Sequence, residues 1–169
     1  MYEGGFFMDA NAVNTNGNVL AKEVMTTEII SVLPETPVKE VARLMIDNKI
    51  SAIPVVTKYN EIVGVVSEND LINKIVRPHE PGIMTLLYHA ALAPSDKVLE
   101  YRQALTRWNA KTAKDAMTAP AICVSPEDTI ESVGRVMLDD KVKRVFVAEE
   151  GHLLGVISRS VFVELLLKE

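Results

Sequence analysis

The chain carries one sequence pattern twice, and this repeat limits the possible folds more than any other feature. Residues 25–56 align with residues 117–148, so the two copies are offset by about 92 positions (117 minus 25). The identical pairs are Met25/Met117, Thr26/Thr118, Ile30/Ile122, Val32/Val124, Pro34/Pro126, Glu35/Glu127, Val41/Val133, Arg43/Arg135, Met45/Met137, Asp47/Asp139, Lys49/Lys141 and Val55/Val147. Two copies of one supersecondary unit predict a pseudo-symmetric pair, with function where the copies meet and where they differ.

Each copy predicts the order β-α-β-β-α, which places the chain in the α+β class. In the first copy a strand at Ile29–Val32 precedes a helix, and the strands Ala52–Val56 and Ile62–Val66 precede a helix that opens after Ser67. The matching segments of the second copy are a strand at Ile122–Val124, strands at Val145–Ala148 and Leu153–Ile157, and a helix that opens after Ser158. One such unit is too small to bury a sufficient core alone.

Polar residues mark where the helices begin. Thr36 is expected to cap the first long helix, with Pro37 at its first position. In the second copy, Asp128 and Glu131 have the spacing of a capping box, in which two side chains bond to the first turn reciprocally.

The repeats divide the chain into four parts. Residues 1–18 predict a flexible N-terminal lead, 19–76 the first repeat, 77–111 a helical insert and 112–169 the second repeat. The apolar positions of the insert fall on two helix faces: Ile83, Leu86, Leu87 and Ala90, then Val98, Arg102, Leu105 and Trp108. The insert is either a connector packed on the repeats or a surface for an oligomer or partner.

Composition narrows the function classes. A net charge of −5 without a basic stripe argues against a nucleic-acid surface. No apolar run reaches the roughly 20 residues of a membrane span, and the N-terminus lacks the pattern of a signal peptide. Cys123 is the only cysteine, which favours a cytoplasmic protein, and its apolar neighbours predict a buried strand thiol.

Catalytic and metal-binding patterns are not found in the sequence. His79, His89 and His152 lie far apart, without the helical spacing or cysteine neighbours of a metal site. The chain also lacks the glycine-rich loop with lysine that accompanies nucleotide hydrolysis. An adenine nucleotide would therefore be a ligand and not a hydrolysed substrate.

The repeat strongly resembles the CBS domain, the module named after cystathionine beta-synthase. The resemblance covers about Leu20–Val76 and Thr112–Glu169 and rests on the Val-Met-Thr lead-in, the strand-Pro-helix step, Ile53–Val56 and Gly64–Leu71. It implies that the two copies pack sheet to sheet and form two clefts. In this family such clefts bind AMP, ADP, ATP, S-adenosylmethionine or related ligands, and the module passes the signal to an enzyme, channel or transporter.

The first cleft has the family's Gly-h-h-Ser/Thr-x-x-Asp motif, where h is hydrophobic, as Gly64, Ser67 and Asp70. The resemblance implies that Asp70 accepts hydrogen bonds from the ribose diol and that Ser67 donates to phosphate. The same Ser-x-x-Asp spacing is also a helix capping box, and the two roles are compatible.

The other expected contacts of this cleft come from the partner repeat. The resemblance implies that Thr112 meets the base or sugar, Met117 touches the base, Ile122 is an apolar wall, and Val142 and Lys143 offer backbone groups. Arg144 resembles the arginine that nucleotide-sensing members direct at phosphate, although a charge in solvent at a strand start is an equally good interpretation.

The second cleft has lost most of these groups. Val161 stands where the first copy has Asp70, and valine cannot accept a hydrogen bond from ribose. The resemblance maps this weaker cleft to Leu20, Ile50, Ser51, Ser158 and Arg159. We expect one working nucleotide site per chain.

Three functions fit the sequence to different degrees. The leading hypothesis is a regulatory module, not an enzyme, that binds an adenine nucleotide and signals to a separate effector protein. The alternatives are a sensor of S-adenosylmethionine and a ligand-free scaffold that dimerises through its helical insert. The resemblance implies a homodimer, since pairs of this kind commonly associate through their helices.

Overall fold

The computed structural model describes residues 19–80, 82–83 and 96–167. The predicted lead, residues 1–18, lies outside this range, as do Leu86, Leu87, Ala90 and the side chain of Val98 in the insert. In chain order the elements are α1 (Ala21–Val24), α2 (Val38–Asp47), β1 (Ala52–Val56), β2 (Ile62–Ser67), α3 (Glu68–Ile75), α4 (Asp96–Trp108), α5 (Ala113–Ala116), β3 (Cys123–Val124), α6 (Ile130–Asp139), β4 (Arg144–Glu149), β5 (His152–Ser158) and α7 (Arg159–Leu166). This mixture of helices and small sheets confirms the predicted α+β class.

The chain divides into two compact units. The Asp70 unit consists of the described parts of Ser31–Thr57 and Val63–Pro120, and the Val161 unit consists of those of Met1–Ile30, Lys58–Ile62 and Ala121–Glu169. Each unit has a hydrophobic core of its own.

The core of the Asp70 unit forms where α2 packs on a two-stranded sheet of β1 and β2. Val41, Ile53, Val55 and Val66 are fully buried there. Burial is nearly continuous along β1, from its second residue to its last, so that strand is covered on both faces. A parallel bridge from Val32 to Val55 extends the sheet by a single residue pair.

The Val161 unit has the same plan with a three-stranded sheet in the order β3-β4-β5. Its strand β3 runs parallel to β4, and β5 runs antiparallel to β4 with Val145 opposite Ile157. Val133 of α6 joins these two residues among the fully buried side chains, because α6 places its apolar stripe on the sheet.

Each unit combines the core of one repeat with the Met-Thr segment of the other. In the Val161 unit, Thr26 pairs antiparallel with Val156, after the short helix α1. In the Asp70 unit, Thr118 pairs antiparallel with Val65, after α5. The two sequence repeats, 19–76 and 112–169, therefore each contribute residues to both units.

Three local predictions differ from the structure. The strand predicted at Ile29–Val32 is reduced to the bridge at Val32. Helix α2 begins at Val38, so Pro37 is its N-cap residue and not its first helical residue. Thr36 therefore does not cap this helix, and its hydroxyl accepts a hydrogen bond from the Leu33 N–H at 3.1 Å. Proline lacks the N–H and a polar side chain, which explains why the cap has no side-chain bond.

The second helix start and the cysteine also differ from the predictions. Helix α6 is capped by Thr129, whose hydroxyl accepts from the Ser132 N–H at 3.3 Å, so the box of Asp128 and Glu131 does not form. Cys123 is exposed, because its side chain lies on the open face of the two-residue strand β3. Even so, partial desolvation raises the pKa of the Cys123 thiol above its ordinary value.

Candidate functional site

The most unusual side chain of the Asp70 unit is the carboxylate of Asp70. It is 4% exposed, and among the described residues it is the one charged or polar side chain that is buried. Its Oδ2 accepts hydrogen bonds from the Ser67 N–H at 2.8 Å and the Ser67 hydroxyl at 2.6 Å. Its Oδ1 accepts from the Thr118 hydroxyl at 3.0 Å. Burial of a carboxylate is costly unless hydrogen bonds compensate, and these three do so.

Ser67 and Asp70 together begin helix α3. Ser67 is the N-cap residue, and its Oγ lies 3.4 Å from the Asp70 N–H, completing the reciprocal capping box. The predicted capping interpretation of this Ser-x-x-Asp motif is therefore confirmed. The negative charge also lies in the first turn, where it interacts favourably with the helix dipole.

The glycine of the motif allows the chain to approach closely. A Cβ placed on Gly64 would lie 2.9 Å from the carbonyl oxygen of Thr118 and 2.6 Å from Sδ of Met117. These contacts are too short, so only glycine lets the Met-Thr segment pair with β2 through Val65. Gly64 therefore serves to admit Met117 and Thr118 beside Asp70.

Thr112 caps the short helix α5 in the same way that Ser67 caps α3. Its hydroxyl accepts from the Asp115 N–H at 3.4 Å, and Asp115 Oδ2 accepts from the N–H groups of Lys111 and Thr112, both at 3.0 Å. The pKa of the Asp115 carboxyl lies below its ordinary value because of these hydrogen bonds. The N–H of Lys111 has the largest effect, followed by the N–H and the hydroxyl of Thr112. The Thr112 hydroxyl is one of the groups that lower this pKa, so its proton is already engaged by the Asp115 carboxylate within the cap.

Valine replaces the central carboxylate in the Val161 unit. Val161 is 9% exposed and packs in the core cluster of that unit. Ser158 is the N-cap residue of α7 but makes no side-chain cap bond there; its hydroxyl lies 2.6 Å from that of Ser160. The carboxylate in the first turn of α3 is thus replaced by an apolar side chain at the matching position of α7, as the sequence predicts.

Arg159, at the start of α7, contacts the segment that leads into β4. Arg159 donates through Nε to the carbonyl oxygen of Val142 at 3.2 Å. Its backbone N–H donates to the carbonyl oxygen of Lys143 at 3.3 Å. Arg144 begins β4 directly opposite Ser158 in the register with β5. Ile122 accepts at its carbonyl from the Phe146 N–H and packs against the core.

The predicted site residues fall into two groups. The Asp70 unit contains Ile50, Ser51, Ser67, Asp70, Thr112 and Met117, and the Val161 unit contains Leu20, Ile122, Val142, Lys143, Arg144, Ser158 and Arg159. Within the first group, the carbonyl oxygen of Ser51 accepts from the Glu68 N–H at 3.0 Å, at the start of α3. Ser51 therefore lies in the same unit as Asp70, and its assignment to the weaker cleft stays a prediction.

Thr118 is a polar contact of Asp70 that the sequence motifs do not predict. It is 48 residues from Asp70 in sequence, so no local spacing relates the two. The available signal was the Met-Thr pair that recurs in both copies at Met25-Thr26 and Met117-Thr118.

Neither a metal-binding cluster nor a membrane-spanning helix is found among the described residues, 19–80, 82–83 and 96–167. No group of three histidine, cysteine or acidic side chains there could hold a metal ion. None of the helices in the same part of the chain is long and apolar enough to cross a bilayer.

Comparison with known proteins identifies the repeated pattern. The sequence model of the CBS domain matches this chain twice, at residues 21–77 and 113–168. The protein MJ1426 of Methanocaldococcus jannaschii, which is itself uncharacterized, is 31% identical over 164 residues, covering 93% of this chain and 97% of its own. The chloroplastic CBS domain-containing protein CBSX2 of Arabidopsis thaliana is 26% identical over 164 residues, covering 91% of this chain and 69% of its own.

Solved structures show the same fold. The crystal structure of CBSX2 in complex with AMP has a TM-score of 0.71 at 23% identity and covers 88% of this chain and 97% of that chain. The CBS domain pair of MJ0100, in complex with 5′-methylthioadenosine and S-adenosyl-L-methionine, has a TM-score of 0.62 at 16% identity, covering 89% and 98%. At these identities the similarity establishes the fold.

Proposed function

This chain belongs to the CBS-domain family as a tandem CBS pair, and we propose that it is a nucleotide sensor whose ligand is held by Asp70. The ligand is an adenosine-containing molecule, with AMP, ADP or ATP first and S-adenosylmethionine as the alternative. The role is regulatory and not catalytic, so a separate effector protein would receive the signal. The buried, hydrogen-bonded carboxylate of Asp70 is the observation that carries this proposal.

The chemistry of the Asp70 carboxylate supports contact with a sugar. An ionised carboxylate offers about four lone-pair positions, and the three hydrogen bonds to Asp70 leave one on Oδ1. A ribose hydroxyl is a donor that suits this position. A charge-assisted hydrogen bond of this kind is roughly twice as strong as a neutral one.

The remaining contacts of the proposed site rest on the family resemblance. They are Ser67, Thr112, Met117, Ile122, Val142, Lys143 and Arg144. Of these, Arg144 has the planar set of donors that suits phosphate. Because Val161 replaces the carboxylate in the second copy, we propose one such ligand per chain.

Thermal unfolding with a panel of ligands tests this function. We expect AMP, ADP, ATP or S-adenosylmethionine, at about 100 times its dissociation constant, to stabilise the native protein by about 2.7 kcal/mol. For a chain of this length that free energy corresponds to a rise in Tm of about 5–10 °C. Guanosine and cytidine nucleotides at the same concentrations are the controls, and a flat Tm across the adenosine ligands would contradict the proposal.

A second candidate function, a dimerising scaffold, is favoured by exposed apolar side chains. Ile72, Ile75 and Val76, at the end of α3, are 53%, 82% and 59% exposed. Apolar side chains in the second half of α7 and just after it are exposed as well: Val163 by 60%, Leu166 by 69% and Leu167 by 84%. Apolar surface of this kind marks association sites, and the family resemblance supports a homodimer.

The association of the chain can be measured independently of its ligand. We expect light scattering after size-exclusion chromatography to give twice the chain mass of 18.6 kDa. Ile75→Lys, which places a charge on the α3 end, is expected to shift the equilibrium towards the monomer. Lys39→Glu on the exposed side of α2 is the control. A monomeric wild type, or a dimer unaffected by Ile75→Lys, would contradict association through α3.

A further inference from the structure

The two oxygens of the Asp70 carboxylate are held by different parts of the chain. Ser67, three residues away, binds Oδ2 through both its N–H and its hydroxyl. Thr118, 48 residues away, binds Oδ1 through its hydroxyl. The second contact is not needed to begin helix α3, because the Ser67–Asp70 box is already complete.

The two contacts have different effects on the orientation of the carboxylate. Rotation about the Cβ–Cγ bond moves both oxygens, so the two hydrogen bonds from Ser67 to Oδ2 already limit it; torsions of this type are broad, however, and a range of orientations remains. The Thr118 hydroxyl narrows that range by holding Oδ1 as well. The oxygen that keeps a free lone pair is therefore the one that Thr118 orients.

The position of Thr118 is itself well defined. Its backbone pairs with Val65 through two hydrogen bonds, from the Val65 N–H at 3.0 Å and from its own N–H at 2.9 Å. Gly64 permits this close approach. A hydroxyl held on a paired backbone is a more precise support than one on a loose loop.

The second copy offers an internal comparison. Thr26 pairs with Val156 in the Val161 unit just as Thr118 pairs with Val65, with hydrogen bonds of 2.9 and 3.0 Å. Its unit has Val161 where a carboxylate would stand, so Thr26 has no such acceptor at that position. The backbone role of the Met-Thr segment is thus common to both units, whereas the hydroxyl role belongs to Thr118.

We infer that Thr118 is a positioning residue for ligand binding, which orients Oδ1 of Asp70 to accept a hydroxyl of the ligand. This inference rests on the proposed function and adds a residue to it. Preorganisation of this kind increases affinity because the ligand does not have to restrict the carboxylate on binding. Thr118 itself acts through Asp70.

The test is calorimetric titration of AMP into wild type, Thr118→Val, Thr118→Ser and Thr26→Val. Valine keeps the shape and removes the hydroxyl, and we expect it to weaken AMP binding about tenfold. Serine restores the hydroxyl, and its affinity is expected to lie within about twofold of wild type. Thr26→Val is the matched control and leaves the affinity unchanged.

The outcomes separate this inference from the proposed function. If AMP binds wild type and Thr118→Val equally well, the positioning role is overturned while the proposed site stands. If Thr118→Ser is as weak as Thr118→Val, the effect is one of packing, and the role is again overturned. If wild type binds neither AMP nor any other adenosine ligand of the thermal panel, the proposed function fails and this inference fails with it.

Discussion

Asp70→Asn is expected to abolish most nucleotide binding while leaving the fold in place. Asparagine can keep the local hydrogen bonds, because its carbonyl oxygen can accept from Ser67 and its amide group can donate to the Thr118 hydroxyl. The ligand hydroxyl then meets an uncharged amide N–H instead of a carboxylate oxygen, so it loses its charge-assisted hydrogen bond and can only accept a neutral one. We therefore expect the affinity for AMP to fall at least tenfold.

The control for this variant is Asp128→Asn. It removes the same charge from a carboxylate that accepts from the Ser125 N–H at 2.7 Å, but in the Val161 unit and at a position less buried than Asp70. Circular dichroism of the unliganded variants checks that both remain folded. Equal AMP affinity for Asp70→Asn and wild type would show that the carboxylate does not touch the ligand, whatever the capping box contributes to stability.

Gly64→Ala is expected to have the largest effect on stability. The new methyl group would lie 2.9 Å from the carbonyl oxygen of Thr118, which is backbone and cannot turn away as a flexible side chain can. The pair of hydrogen bonds between Val65 and Thr118 must then lengthen. Overpacking of this kind costs about 1–3 kcal/mol of unfolding free energy.

The measurement is the Tm of Gly64→Ala against that of Gly82→Ala. A Cβ on Gly82 has no neighbouring atom within 4 Å, so that variant controls for the removal of glycine itself. We expect Gly64→Ala to lower the Tm by about 3–10 °C and Gly82→Ala to change it little. A Gly64→Ala protein as stable as wild type would contradict the close approach of the Met-Thr segment.

Local chemistry was the most predictable part of this molecule. The Ser67–Asp70 spacing predicted a capping box, and the box forms because both partners lie in one helical turn. The loss of the carboxylate at Val161 was equally visible in the aligned repeats. The prediction for Asp128 was wrong because neighbouring Thr129 can also cap, and spacing alone does not decide between adjacent polar residues.

Contacts between distant parts of the chain were not predictable from one sequence. The repeat alignment found Thr118 and Thr26 as equivalent residues but gave no reason to place Thr118 on Asp70. That contact depends on the exchange of Met-Thr segments between repeats, which the β-α-β-β-α order does not specify. The prediction that Cys123 is buried was also wrong, because its strand is only two residues long and has one open face.

The repeat pattern and the structure together show which features the two copies share and where they differ. Both units keep the glycine that admits a Met-Thr segment, since a Cβ on Gly155 would collide with Met25 as one on Gly64 would with Met117. Only the first copy adds the carboxylate of Asp70. The common features thus maintain the fold, and the difference between the copies supports the proposed ligand site.

Titration calorimetry of AMP and ATP with wild type and Asp70→Asn tests the central proposal most directly, because it measures affinity and stoichiometry together. We expect one nucleotide bound per chain in the wild type and an affinity at least tenfold lower in Asp70→Asn. Two equivalent nucleotides per chain, or one nucleotide bound equally well by both proteins, would contradict a site built on Asp70.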